Sequence, residues 1–209
     1  MNKMMSNAVY PVITSALRLR DRLERGEATE IDAEQGQLIA MLQNDTDARH
    51  LAEYGGDGAD YLGARYALVC WIDELFILYS PWSEIWNRRK LEVALYGGAS
   101  ERAWRFWKQA DLARTRPGRD ALEVFFLCVM LGFRGQLLND ASKLPSWVES
   151  VRAQIVSTAD WSPPADLGVI TNVAPLRGWA AVRRQALIQG GILAALLLAT
   201  LVLIQLQSH

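Results

Sequence analysis

DYLGARYALVCWIDELFILY, residues 60–79, is apolar almost throughout and yet carries two adjacent carboxylates. Placed on a helix at about 100° per residue, Tyr61, Ala64, Leu68, Ile72, Leu75, Phe76 and Tyr79 form one stripe, and Tyr66, Cys70 and Ile77 line the opposite face. A helix that is apolar all round is a buried helix, so the rest of the chain must be arranged to cover this one. Asp73 and Glu74 fall on its flanks, about 100° apart, and therefore reach different neighbours. A buried charge must find hydrogen-bond or ionic partners, which makes these two residues the first candidates for a functional role.

Outward from this helix, turn signals divide the chain into further helices. On the N-terminal side, Pro11 is expected to open a short amphipathic helix with Val12, Ala16, Leu19 and Leu23 on its apolar face and Gly26 as its stop. Thr29 reads as the N-cap of a second helix with Ile31, Leu38, Met41 and Leu42, and the glycines at 55, 56 and 58 read as a hinge loop before a cap at Asp60. On the C-terminal side, Ser80-Pro81 ends the central helix, because proline lacks the amide donor and pushes its predecessor out of the α region. Trp82 and Trp86 follow at helical spacing as an expected pair beside the central helix.

Beyond the basic run Arg88-Arg89-Lys90 and the segment LEVALY, Ser100 is the expected cap of ERAWRFWKQA, with Ala103, Trp104 and Trp107 inward and Arg102, Arg105 and Lys108 in water. Asp120 is the expected cap of ALEVFFLCVML, a second helix apolar all round, which runs to the glycine break LGFRG at 131–135. Pro145 opens a last amphipathic helix with Trp147, Val148, Val151 and Ile155 on its buried side. No period-two strand pattern occurs, so the expected fold class is all-α.

The C-terminal part is different in kind. Residues 159–184, with Trp161 and prolines at 163, 164 and 175, read as a linker and juxtamembrane segment after a helical domain at 1–158. Residues 185–206 read as a transmembrane tail anchor, and 207–209 as a periplasmic tail. The uncharged run Ala186 to Leu206 covers ~31 Å as a helix, about the thickness of a bilayer's hydrocarbon core. Trp179, Arg183 and Arg184 stand where interfacial anchors belong, and the positive-inside rule then puts the amino-terminal domain in the cytoplasm. Gly190 and Ala194 form a small-xxx-small pair through which anchors can approach, the expected route to a homo-oligomer. The N-terminus lacks the apolar core and cleavage site of a secretory signal.

Charge and chemistry narrow the function. The net charge of −1 argues against a nucleic-acid binder, although it averages 13 acidic against 7 basic residues in 1–80 and 4 against 9 in 81–119. Histidine occurs only at 50 and 209, Cys70 and Cys128 lie inside apolar runs, and no phosphate-loop or dinucleotide motif is present. No cofactor, metal or catalytic residue is expected. For Asp73 and Glu74 two readings stand side by side. In one, a carboxylate pairs with an arginine such as Arg65 or Arg134 while the other is exposed; in the other, at least one lines an acidic groove that docks a protein. A tail-anchored hydrolase using the two carboxylates is the enzymatic rival.

The ordered series ARYALVCWIDE, PWSEIW, the YGG break, the W-x-F-W helix and LEVFFLCVMLGFRG resembles the DotU/TssL family of secretion-system inner-membrane proteins over roughly residues 62–155. The resemblance implies a hook-like cytoplasmic domain of two small helical bundles followed by one transmembrane helix. It implies a structural role in the type VI secretion inner-membrane complex, with an IcmF/TssM-like membrane partner, baseplate proteins in the cytoplasm and an outer-membrane lipoprotein reached indirectly. A related type IVB role, stabilising a similar membrane pair, is the alternative within the family. The family's Asp-Glu pair matches Asp73 and Glu74, as groove residues. Its glycine-aromatic-x-glycine turn matches Gly132 to Gly135, with Arg134 where an acidic residue often stands. Trp82, Trp86 and Arg134 are expected in partner binding or in support of it. The peptidoglycan-binding extension of longer family members is not expected here.

Overall fold

The computed structural model describes residues 1–27, 29–43, 52–58, 60–140 and 142–156. These residues are helical, with no strand among them, in the order α1 (Lys3–Glu24), α2 (Ile31–Gln43), α3 (Ala52–Gly55), α4 (Gly63–Leu78), α5 (Ser83–Arg88), α6 (Leu91–Tyr96), α7 (Arg102–Thr115), α8 (Asp120–Met130), a 3-10 turn (Gly135–Asn139) and α9 (Lys143–Val156). The linker, Trp179, Arg183, Arg184, the apolar run 186–206 and both histidines lie outside the described residues.

The central helix of the sequence is α4. Every residue from Tyr66 to Phe76 is buried, and α4 packs against α1, α3, α5, α6, α7 and α8. The second all-apolar helix, α8, is its most extensive neighbour. Among the described residues the buried apolar side chains belong to one contiguous core, with α9 laid on it through Val151 and the half-buried Trp147, Val148 and Ile155. By length and composition alone residues 120–138 have the apolar character of a membrane span, with a mean hydropathy of 1.6. Yet α8 ends at Met130, and Gly132 at φ +109° turns the chain.

Several helix boundaries differ from the sequence expectation, each for a tertiary reason. Pro11 lies inside α1, which starts two turns earlier behind an N-cap at Asn2 whose side chain accepts from the Met5 amide at 2.8 Å. Met5, Ala8 and Val9 extend the buried stripe upstream, and Asn7, whose carbonyl Pro11 deprives of its helical donor, is an exposed residue. Asp60 does not cap α4. Instead the buried amide of Gln109, from α7, donates to the Asp60 carbonyl at 2.7 Å and accepts from the Leu62 amide at 2.8 Å. Asp120 is the first residue of α8 rather than its cap, and its carboxylate accepts from the Asn2 amide at 2.8 Å, tying the starts of α1 and α8 together.

The glycine loop is a packed corner. A Cβ on Gly56 would lie 2.1 Å from the Tyr61 carbonyl, and one on Gly63 would lie 2.4 Å from that of Tyr54, both at positive φ. Arg116 closes the corner from α7's end, 3.9 Å over the Tyr61 ring and 2.6 Å from Asp57. Within α7 the buried row is Phe106, Trp107, Gln109, Ala110 and Ala113; Ala103 and Trp104, expected inside, are exposed.

Candidate functional site

Consecutive residues on a helix diverge, and in α4 this sends Asp73 and Glu74 to two separate corners of the domain. Asp73 has no solvent exposure and points to the junction of α5 and α6. Its Oδ1 accepts from the Trp86 indole Nε1 and from the Leu91 amide, both at 2.8 Å, and its Oδ2 accepts from the Glu92 amide at 2.9 Å. Two of the three donors are the first amides of α6, which have no partner within their own helix, so Asp73 caps α6 from another helix. Burial pushes the Asp73 carboxyl up to about 6, opposed by the amides of Glu92 and Leu91, the Trp86 indole and the charge of Arg102.

The aromatic residues around Asp73 hold the indole in place. The Trp86 ring stacks on Phe76 of α4 at 4.3 Å and on the half-buried Trp82 at 6.4 Å. The tryptophan pair expected beside the central helix therefore forms, and its inner member donates directly to Asp73.

A third buried carboxylate, Glu92 in the first turn of α6, extends this arrangement. It accepts from the Tyr66 hydroxyl at 2.6 Å, the Ser100 hydroxyl at 3.1 Å and the Glu101 amide at 3.1 Å. Ser100 thus bonds back to α6 instead of capping α7. Asp73 and Glu92 together fix the chain from Trp86 to Glu101 against α4.

Glu74, 5% exposed, reaches the turn after α8. Its carboxylate accepts from the Arg134 amide at 2.6 Å and the Gly135 amide at 3.0 Å. Burial raises its pKa against those two amides and the charges of Arg102 and Arg134. The turn is further held by Phe133, buried at 3.9 Å against Phe106, and by the Trp107 indole, which donates to the Arg134 carbonyl at 3.2 Å. A Cβ on Gly135 would lie 2.6 Å from the Ala103 carbonyl, so the close approach that lets the amide reach Glu74 requires glycine.

Neither carboxylate forms the expected ion pair. The Arg65 guanidinium bonds the Tyr96 hydroxyl at 3.2 Å, and that of Arg134 bonds the carbonyls of Val129 and Phe133 at 2.9 and 2.8 Å. The cation whose charge both carboxylates feel is Arg102, read from the sequence as solvated but half-buried in the fold. Among the described residues no group of three or more His, Cys, Asp or Glu is placed to hold a metal ion. Arg102 and Glu92 were not legible as site residues. An acid in a first helical turn reads as a solvated partner of the helix dipole, and only the contacts from Tyr66 and Ser100 mark it as buried.

The arrangement suits holding surface segments in place. A family model described as type VI secretion system protein DotU matches residues 4–207. The chain belongs to the DotU family. The match begins in the first turn of α1, runs through α9 and continues past the described residues, so nearly the whole chain is covered. Neither a curated protein nor a solved structure matches the chain. Membership makes the chain a component of the type VI secretion system, in a family whose role is structural.

Proposed function

We propose that this DotU-family chain is a single-pass component of the inner-membrane complex, with its helical domain in the cytoplasm, where it links an IcmF/TssM-like partner to the baseplate. The observation that carries this reading is the family match over residues 4–207, which takes in both the packed domain and the uncharged run 186–206. The run is long enough to span a bilayer, and Trp179, Arg183 and Arg184 precede it as interfacial anchors. The outer-membrane lipoprotein is reached through the membrane partner. Asp73 and Glu74 serve docking from within: Asp73 fixes the α5–α6 corner and Glu74 the turn at 132–135, so the surfaces a partner meets are preset. Trp82, Trp86 and Arg134 support those corners.

Affinity purification of the tagged full chain from native membranes tests this reading. The expected result is co-purification of an IcmF-like membrane protein and baseplate proteins, with deletion of residues 186–209 moving the chain to the soluble fraction. Recovery of a type IVB set of partners, or membrane retention of the deletion variant, would overturn it.

A further inference from the structure

A cleft of about 550 Å³ runs between α2 and the α5–α6 corner, and its chemistry fits a particular kind of partner. Its apolar side is formed by the half-buried Ile39 of α2 and by Val93 of α6, 41% exposed. Three consecutive cations, Arg88, Arg89 and Lys90, stand along one rim, and the Ser100 hydroxyl stands beside it. Arg89 is paired with Asp32 of α2, both largely in solvent, while no carboxylate of the described residues lies within ion-pair distance of Arg88 or Lys90. The buried acids do not neutralise them: the Asp73 oxygens accept from the Trp86 indole and the Leu91 and Glu92 amides, and those of Glu92 from the Tyr66 and Ser100 hydroxyls and the Glu101 amide.

Hydrogen bonds within the domain also hold the cleft walls. The wall at Leu91 and Glu92 is fixed by Asp73, and the Gln35 side chain of α2 donates to the Arg89 carbonyl at 2.9 Å, tying the two walls together. A preset apolar trough with unpaired cations on its rim is complementary to a segment whose apolar side chains alternate with carboxylates. A bilayer surface offers anionic headgroups but cannot fill a concave trough with side chains.

We propose that the α2–α6 cleft is a docking site for an acidic segment of a partner protein, with one or two aliphatic anchors seated over Ile39 and Val93 and its carboxylates on Arg88 and Lys90. The site rests on the reading of the chain as an assembly component but uses a surface that the family role does not specify.

The test is fluorescence anisotropy with the full chain in detergent micelles and a short labelled peptide in which Leu pairs alternate with Asp and Glu. Two control peptides carry Lys in place of the acids or Ser in place of the leucines. The acidic leucine peptide is expected to bind, with affinity falling as salt is raised. It should bind about tenfold more weakly to the Arg88→Glu, Lys90→Glu double variant and to Ile39→Asp, rim charge and trough floor each contributing. Unchanged circular-dichroism melts of the rim variant, whose side chains are outside the core, show that lost binding is not lost folding. The proposal is overturned if the peptide does not bind, if the rim variant binds it equally, or if the Ser control, which offers anionic charge alone as a lipid headgroup does, binds as well as the Leu peptide. Any of these leaves the co-purification result untouched, so the two readings fail separately.

Discussion

The α5–α6 corner and the turn at 132–135 are held by neighbouring residues of one helix in two different ways. At the first, Asp73 meets the bare amides of a helix start together with an indole, all in the interior. At the second, Glu74 meets two amides of an irregular turn whose conformation depends on glycine at 132 and 135, and a little solvent reaches it. At the first corner one carboxylate serves three buried donors, beside the Phe76–Trp86 stack and the Gln35 bond to the Arg89 carbonyl. The second has other supports, because Phe133 and the Trp107 bond to the Arg134 carbonyl hold the same turn from the opposite side. A carboxylate that serves three buried donors is structural in a stronger sense than one that serves two beside an aromatic plug.

This difference orders the expected effects. Asp73→Ala leaves an indole and two helix-start amides without acceptors in the interior and is expected to destabilise the domain by about 3–5 kcal/mol. A chemical-denaturation midpoint close to that of the parent chain would break the comparison at its strongest point. Glu74→Gln keeps one acceptor oxygen for the turn, which Phe133 still anchors, and should cost about 1–2 kcal/mol by the same measurement.

A further effect is in the pH dependence. Asp73 holds its proton up to about 6 in the folded domain, against 3.8 as an ordinary aspartate. The folded state therefore binds protons more tightly, and the stability this group contributes is fully present below pH 3.8 and is lost as pH rises through about 6. Asp73→Asn removes the titration, so the difference in midpoint between parent and variant should change across that window and be flat above it. A difference independent of pH would show that the three donors outweigh burial at this site.

The parts of the fold legible in the sequence are those fixed by local pattern. Apolar residues on every face of 63–78 and 120–130 marked α4 and α8 as interior helices, and Gly26 and Pro81 marked two ends, because backbone conformation alone decides such positions. The caps were not legible. Asp60, Ser100 and Asp120 each sit at the spacing of an N-cap, but at each the partner comes from elsewhere in the fold: Gln109 at the start of α4, Glu92 for Ser100 and Asn2 for Asp120. In α7 the expected face was right for Trp107 and wrong for Trp104, which is 45% exposed, because the inward row is Phe106, Trp107, Gln109, Ala110 and Ala113. For the Asp73-Glu74 pair, the divergence of the two side chains followed from helix geometry. Their partners did not, since backbone amides leave no signature in a sequence.

Amide hydrogen exchange of the full chain, compared between the parent and the Asp73→Asn and Glu74→Gln variants under native conditions, tests the two-clamp account most directly. The account predicts faster exchange at Leu91 and Glu92 only in Asp73→Asn, whose new NH2 group faces the Glu92 amide, and at Arg134 and Gly135 only in Glu74→Gln. Exchange that rises at both corners in either variant, or at neither, would contradict it.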